Sequence, residues 1–246
     1  MIDRNIDLLL FLTISLSIIR ILFNVKEVEL MYRYEAPIKR PRSSNYGSNY
    51  WIFYSRKVRR SVSVFSNLEY ENILTLEMNP EVEWYCEYPF ETTVFVSGKE
   101  EKILFDVWVK YTDGREVYQG VSYKSASESH KKIAMQAKWC IQNGLDYEFR
   151  NENNIRTGAF LIRNLSILAS RARRFSVQSV NADQMIIGFL AEHRRASLSV
   201  LENSGRFEDG RALAYLADLY FRGIINFRNI SDECLSGNME VVYIGK

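Results

Sequence analysis

Four residues between positions 69 and 124 have the types and order of side chains that metal-dependent hydrolysis needs. Glu69 and Asp106 are carboxylates, and Gln119 and Lys124 lie in one short segment further along the chain. Carboxylate and amide oxygens are ligands for hard divalent cations, and a lysine can stabilise a developing negative charge. We therefore predict a catalytic site of these four residues, in which Glu69, Asp106 and Gln119 are the metal ligands.

The first acid belongs to a predicted helix over residues 66–78. Leu68, Ile73 and Leu76 recur there with roughly helical spacing. Ser66 with Glu69 three residues later has the pattern of a capping box. Two roles therefore stay open for Glu69, a metal ligand or only a helix cap.

The second acid lies in a segment of alternating side chains, which predicts a strand over residues 102–109. A buried carboxylate is costly unless a cation compensates its charge, and aspartate is a poor strand former. Asp106 is therefore predicted to meet either a metal or a basic side chain, lysine or arginine.

A hairpin connects this strand to the segment that holds Gln119 and Lys124. Asp113–Gly114 is a strong turn signal, and residues 117–123 are the predicted returning strand. A two-residue turn places Gln119, Val121 and Tyr123 on the face of Asp106. A loop one residue longer places Gly120, Ser122 and Lys124 there instead, so the register decides which side chains share the site.

After the hairpin the sequence predicts a helix and a strand, and then mostly helices. A helix is predicted over residues 127–143 and a short strand over 145–149. Helices follow over 155–173, 182–192 and 211–222, with a further segment over 197–203 before the last of them, and two strands over 224–227 and 239–243 end the chain. Helices followed by a two-stranded ribbon have the outline of a winged helix, and we predict a domain boundary near residue 152.

Basic and aromatic residues are interleaved from residue 33 to residue 60. Basic side chains contact phosphates and aromatic faces stack on bases, so this segment is predicted either to bind nucleic acid or to be a solvated extended arm. A second basic cluster ends the helix over 155–173. The predicted DNA-binding residues are Arg56, Lys57, Arg59, Arg60, Arg171, Arg173 and Arg174.

Composition narrows the class of protein. The chain has 246 residues and a net charge of +2, and its three cysteines are scattered. An odd, scattered set of cysteines argues against a disulfide scaffold or a cysteine-rich zinc site and favours a reducing cytoplasm. The two histidines, His130 and His193, are isolated and are predicted to be surface or helix-end residues.

The first 30 residues form a separate N-terminal extension. Residues 8–23 are apolar but interrupted by Arg20, and a bilayer-spanning helix needs about 18 or more apolar residues. Three interpretations stay open: a signal anchor, an amphipathic helix, or translated upstream sequence before a start at Met31. We favour the third, and a membrane location is not expected.

The order of these motifs resembles the TnsA endonuclease of heteromeric bacterial transposases. The matching stretches are Ser66-Asn67-Leu68-Glu69, the run from Leu76 to Val82, Tyr88-Pro89, Phe105-Asp106-Val107, and Asp113-Gly114 with the segment from Gln119 to Ser125. The resemblance implies an α/β fold: a restriction-endonuclease-like mixed-sheet core over 31–152, then an α-rich winged-helix-like domain over 153–246.

The resemblance also implies a function. The family nicks DNA at transposon ends with Mg²⁺ (or Mn²⁺), beside a transposase subunit and a regulatory ATPase. Glu69 and Asp106 match the family's two acids. The family then has Glu or Gln, one spacer and Lys, where this chain has Gly120 and Ser122. The resemblance therefore implies a weakened endonuclease, or alternatively an inactive subunit that binds DNA and protein, with Gln119 and Lys124 as the nearest substitutes.

Overall fold

The structure is a computed structural model that describes residues 32–40, 49–96, 98–174, 180–204 and 211–245, without the side chains of 127–129, 174, 180 and 181. The apolar stretch over 8–23 and the proposed start at Met31 lie outside the described residues. None of the helices in the described part is long and apolar enough to cross a membrane.

The described residues contain eleven strands and seven helices, which confirms the mixed α/β class. In chain order they are β1 (Trp51–Ser55), β2 (Arg60–Val64), α1 (Asn67–Met78), β3 (Val82–Glu87), β4 (Glu91–Val96), β5 (Lys99–Leu104), β6 (Val107–Tyr111), β7 (Glu116–Val121), α2 (Ser127–Gln142), β8 (Asp146–Arg150), α3 (Glu152–Ile155), α4 (Leu161–Arg174), α5 (Val180–His193), β9 (Arg195–Ser197), α6 (Leu198–Glu202), α7 (Ala212–Phe221), β10 (Ile225–Phe227) and β11 (Glu240–Tyr243).

A four-stranded mixed sheet lies at the centre, in the order β3-β6-β7-β8. The first three strands are antiparallel, and β8 runs parallel to β7. A parallel neighbour requires a crossover connection, which α2 supplies. Two separate hairpins, β1–β2 and β4–β5, accompany this sheet.

Helix α1 connects two hydrophobic cores. Its residues Ile73 and Leu76 belong to the same core as Val107 and Val109 of the central sheet. Its residue Leu74 belongs to a second core formed mainly by the C-terminal helices. Ala36–Lys246 form one compact unit. The boundary near residue 152, between a nuclease core and a C-terminal part, stays a prediction.

The C-terminal part contains the predicted helices and ribbon. β10 and β11 pair antiparallel, as the sequence predicts, and β9 adds a third strand on the other side of β11. The sequence did not indicate β9, which is only three residues long. The winged-helix-like description of this part belongs to the proposals below.

One predicted strand is wrong in a way that matters for function. The segment over 102–109 is not one strand, because β5 ends at Leu104 and β6 begins at Val107. β5 pairs with β4 outside the central sheet, whereas β6 pairs within it. Asp106 therefore lies at the bend where the chain passes from the hairpin into the central sheet.

Candidate carboxylate and lysine site

Glu69 lies in the first turn of helix α1, and its side chain accepts hydrogen bonds from residues outside the helix. Ser66 caps the helix, because its Oγ accepts a hydrogen bond from the Glu69 amide at 3.1 Å. Oε2 of Glu69 accepts hydrogen bonds from the Phe65 amide at 2.9 Å and from the Tyr88 hydroxyl at 3.0 Å. The carboxylate thus turns back to the amide of Phe65, the residue before the Ser66 cap, whereas a capping box would use the Ser66 amide. Tyr88, which directly follows β3, holds the carboxylate in this position.

Asp106 is almost fully buried, with 2% of its surface exposed. Its Oδ2 accepts a hydrogen bond from the Val121 amide at 2.8 Å, and its Oδ1 lies 2.6 Å from Nζ of Lys132. Lys132 comes from α2, and 38% of its side chain is exposed. Asp106 therefore does meet a basic side chain, one of the two partners that the sequence left open for it.

Tyr88 connects the two acids. Its amide donates a hydrogen bond to the Asp106 carbonyl oxygen at 2.9 Å, while its hydroxyl binds Glu69. The backbone of Tyr88 has a φ of +45°, an unusual conformation for a residue with a side chain. Such strain persists only where the surroundings enforce it, and it is concentrated at functional sites.

The negative charge of Asp106 affects the protonation of Glu69. Burial, and next the negative charge of Asp106, raise the pKa of Glu69, while the Phe65 and Tyr88 hydrogen bonds and Lys132 act in the opposite direction. Burial, and next the charges of Glu69 and Asp106, raise the pKa of Tyr88, so its hydroxyl stays protonated and donates. Lys132 thus only partly offsets the burial and the negative charge that raise the pKa of Glu69.

The hairpin register follows the longer-loop alternative. Val107 pairs with Gln119, and Trp108 pairs with Tyr118, so the next pair is Asp106 with Gly120. Asp106 and Gly120 therefore share a face of the sheet, the one that α2 covers.

Gly120 has a packing role at this place. A Cβ atom there would lie 2.1 Å from the Tyr147 hydroxyl, 2.3 Å from Oε1 of Gln136 and 2.7 Å from Cδ1 of Ile133. Tyr147 donates a hydrogen bond of 2.8 Å to Gln136, and this bond passes directly above the glycine. Any side chain at position 120, including the family's carboxylate, would therefore collide with this hydrogen bond.

Gln119 is not brought to the carboxylates, which corrects its prediction as a metal ligand. Because side chains alternate along a strand, Gln119 faces away from Asp106. Its Oε1 accepts from Asn72 and its Nε2 donates to Glu148, both at 2.9 Å. Arg150 completes this hydrogen-bond network by donating to Asn72 at 2.9 Å and to Glu148 at 3.0 Å.

Lys124 is not brought to the carboxylates either. It is exposed beyond the end of β7, where its backbone amide donates to Glu152 at 2.9 Å. Lys132 lies beside Asp106, where Lys124 was predicted to lie. Lys132 was not among the residues predicted from the sequence. A signal was present: Lys132 and Gln136 lie four residues apart on one face of a helix that must cross over the sheet.

Two of the predicted DNA-binding residues serve internal contacts. Arg56 donates to Asp218 of α7, and its guanidinium lies over the ring of Phe221. Nζ of Lys57 donates to the carbonyl oxygens of Asn79 at 2.7 Å and Val82 at 2.5 Å. Burial lowers the pKa of Lys57 to about 8, against the opposing effect of Glu77.

Arg60 is also committed internally, but Arg59 is not buried. Both terminal nitrogens of Arg60 bind the carboxylate of Glu87 at 2.7 Å, and only 1% of the Glu87 side chain is exposed. Arg59 is exposed in the turn of the β1–β2 hairpin, with a φ of +51°. Of the four basic residues predicted in this segment, Arg59 is the most accessible to a ligand.

The basic end of α4 is only partly accessible. Nε of Arg173 donates to the Ala169 carbonyl oxygen at 3.1 Å, and its guanidinium lies 5.1 Å from the centre of the Phe53 ring. Arg171 is half-buried, and the side chain of Arg174 lies outside the described residues. Binding of DNA by this cluster stays a prediction.

Glu69 and Asp106 fit a cation that needs few protein ligands. The described residues contain no group of three or more histidine, cysteine, aspartate or glutamate side chains that could hold a metal. Mg²⁺ usually keeps several waters and binds through one or two carboxylates plus substrate phosphates. A buried Asp106 and a half-buried Glu69, whose pKa the charge of Asp106 raises, are consistent with that kind of site and not with a closed protein cage.

No protein-family model and no curated protein matches this chain. The case for a function therefore depends on the geometry of Glu69, Asp106 and Lys132 and on the order of the elements that carry them.

Proposed function

We propose that this chain is a TnsA-like endonuclease subunit that cuts DNA at transposon ends, with a core of restriction-endonuclease type over 31–152. The observation that carries the proposal is that Tyr88 links the Glu69 side chain to the backbone of Asp106, whose own side chain pairs with Lys132. Helix α1 supplies the first acid, the bend before strand β6 supplies the second, and the crossover helix α2 supplies the cation.

In this proposal Glu69 and Asp106 hold Mg²⁺ or Mn²⁺. The ion would polarise a phosphoryl oxygen and help to generate the attacking hydroxide. Lys132 would stabilise the negative charge that develops on the phosphate, in place of the lysine that the family has at position 122. The Lys132 side chain is 38% exposed, so in this proposal its ammonium group turns from Asp106 toward a bound phosphate.

The partners in this proposal follow from the resemblance. They are transposon-end DNA, a transposase subunit and a regulatory ATPase, in the cytoplasm. The C-terminal helices and the β9–β11 sheet are the proposed winged-helix-like part that contacts the other subunits. The shared core around α1 is consistent with a C-terminal part that is fixed relative to the nuclease core.

A second candidate is an inactive subunit that binds DNA and protein. A specific observation favours it: both oxygens of Asp106 are already engaged, one by Lys132 and one by the Val121 amide. An ion pair in that position stabilises the fold without a metal. The two candidates make opposite predictions for cleavage.

Nicking of supercoiled plasmid by the purified full-length chain tests the proposal. We expect slow nicking in Mn²⁺ or Mg²⁺, none with a chelator, and a loss of about a hundredfold in Asp106→Asn. Asp113→Asn, in the exposed hairpin turn, is the matched control and should nick like the parent chain. Nicking that survives Asp106→Asn would overturn the proposal, and DNA binding without any nicking would support the inactive subunit.

A further inference from the structure

Asp106 and Lys132 form an ion pair whose two members differ in their access to solvent. The Asp106 side chain is 2% exposed, whereas 38% of the Lys132 side chain is exposed. Oδ1 of Asp106 lies 2.6 Å from Nζ of Lys132, and Oδ2 accepts a hydrogen bond from the Val121 amide at 2.8 Å. The buried acid is therefore held by the backbone at one oxygen and by a solvent-accessible lysine at the other.

The backbone contact of Asp106 is part of the sheet, but the lysine contact is not. Val121 is the last residue of β7, which pairs with β6 and β8 within the central sheet. Its amide cannot leave Asp106 without a change in that sheet. A lysine, in contrast, carries its charge on a flexible four-carbon chain and can turn away while its helix stays in place. Of the two contacts, only the one at Oδ1 can be exchanged while the fold is kept.

Lys132 can leave Oδ1 only when another cation takes its place. A buried carboxylate that loses its partner is strongly destabilising, because its charge is then uncompensated. The neighbouring cation on the helix, Lys131, pairs with Glu101 instead. Gln136, one turn further along α2, is uncharged and donates to the Leu104 carbonyl oxygen at 2.7 Å. These neighbours on α2 are thus engaged elsewhere, and the replacement has to come from solution.

A divalent cation and the lysine ammonium group cannot share Oδ1 without repulsion. Mg²⁺ lies at about 2.0–2.1 Å from a carboxylate oxygen that it binds. Since Nζ of Lys132 lies 2.6 Å from Oδ1, the two positive charges would be less than about 5 Å apart. Like charges at this separation repel each other, most strongly where water is excluded. Lys132 and a cation at Oδ1 therefore compete.

We propose that Lys132 occupies Oδ1 of Asp106 in the metal-free protein and gives it up to a divalent cation, so that this lysine limits how readily the site takes up metal. The cation itself belongs to the proposed function, on which this inference rests, whereas the exchange goes beyond it. The exchange also accounts for the engagement of both Asp106 oxygens, because a site of this kind holds its own cation until a metal arrives.

The test is the Mn²⁺ affinity of the full-length chain, measured by isothermal titration calorimetry without DNA. Lys132→Met cannot compete, so we expect it to bind Mn²⁺ about tenfold more tightly than the parent, within the range of about 5- to 150-fold that is typical of coupled equilibria. Lys132→Arg should bind Mn²⁺ more weakly than the parent, because a guanidinium holds a carboxylate with two hydrogen bonds. Lys131→Met is the matched control and should bind Mn²⁺ like the parent.

Opposite effects of the two Lys132 variants distinguish competition from a purely structural role. If the lysine only stabilised the fold, Lys132→Met would bind Mn²⁺ more weakly and Lys132→Arg, which keeps the pair, would bind it like the parent. Either of these results would overturn the exchange. Lys132→Arg decides by itself if Lys132→Met does not fold. Binding of Mn²⁺ by Lys132→Met but not by the parent would support the exchange in its strongest form.

Asp106→Asn tests the proposed function separately. We expect this variant to lose Mn²⁺ binding, because the carboxylate that both cations need is gone. That loss, together with no effect of either Lys132 variant, would remove the exchange and leave the metal site. Mn²⁺ binding that Asp106→Asn leaves unchanged, or no binding by the parent and by either Lys132 variant, would remove the metal site and the exchange together.

Discussion

Nζ of Lys132 lies 2.6 Å from Oδ1 of Asp106, although the two residues are 26 positions apart in the chain. Asp106 lies at the bend between two sheets, and Lys132 projects from the helix that crosses over the central sheet. The lysine expected beside the acid on a strand is thus supplied by a helix, and the acid that needed a cation has one.

Lys132→Met tests whether the ion pair with Asp106 has a role that the other lysines of α2 do not share. We expect plasmid nicking to fall about a hundredfold and the free energy of unfolding to fall by about 1–3 kcal/mol, because Asp106 loses a charged hydrogen-bond partner. Lys131→Met is the matched control, since its neighbour Lys131 pairs with Glu101 at the exposed surface. Equal effects of the two variants would contradict a special role for Lys132.

Glu69→Gln should change the pH dependence of stability. Because the pKa of Glu69 is raised above 4.5 in the folded protein, the folded state binds this proton more readily than the unfolded state. Stability from that protonation is lost as the pH rises through the folded-state pKa, so the parent chain should lose stability relative to Glu69→Gln as the pH rises from about 4 to about 7. Urea titrations across this range measure the difference.

A divalent cation should reduce that difference at neutral pH if Glu69 and Asp106 bind it. We expect Mg²⁺ to raise the melting temperature of the parent chain more than that of Glu69→Gln, because a ligand of the folded state stabilises it. Equal shifts in both proteins would argue against a metal site at Glu69.

Gly120→Ala should be destabilising by about 1–3 kcal/mol, because the added methyl group collides with the Tyr147–Gln136 hydrogen bond. For the same reason Gly120→Glu with Ser122→Lys, which restores the family's motif, should unfold at lower urea and should not raise nicking. Ser122→Lys alone is the control, since Ser122 is only half-buried and should tolerate the change. Stable folding of the double variant would contradict this packing role.

Gln119→Glu distinguishes a metal ligand from a positioning residue. A ligand at 119 would bind Mg²⁺ more tightly as a carboxylate. In the structure, a carboxylate there would face Glu148 and lose one hydrogen bond, so we expect lower stability by about 1–3 kcal/mol without tighter metal binding. Urea unfolding together with the Mg²⁺-induced shift in melting temperature reports both effects, and a gain in the second would restore Gln119 as a ligand.

Arg59 and Arg60 are neighbours with different expected phenotypes. Arg60→Ala leaves the buried carboxylate of Glu87 without its partner, so the free energy of unfolding should fall by about 3 kcal/mol. Arg59→Ala should leave stability almost unchanged and weaken DNA binding, with a shallower dependence on salt. Urea unfolding and anisotropy at two salt concentrations separate the two effects, and a stable Arg60→Ala protein would contradict this assignment.

Much of the fold around the site could be predicted from the sequence, because local patterns determine it. Ser66 and the apolar spacing after it place α1, and Asp113–Gly114 places the turn between β6 and β7. The long helix before Asn143 and the strand after it were predicted within one or two residues. A buried aspartate in an apolar run also predicted that a cation must lie beside it.

Only the tertiary structure decided which residues share the site. A shift of one residue in the hairpin register reverses the face of every side chain, and the register that forms turns Gln119 toward Asn72 and Gly120 toward α2. The cation comes from α2 because packing over a parallel pair of strands sets the rotation of that helix. The spacing of Lys132 and Gln136 places both on one face of the helix, but it does not say that this face meets the sheet. The sequence by itself determined that Asp106 needs a positive partner, and the fold selected Lys132 over Lys124.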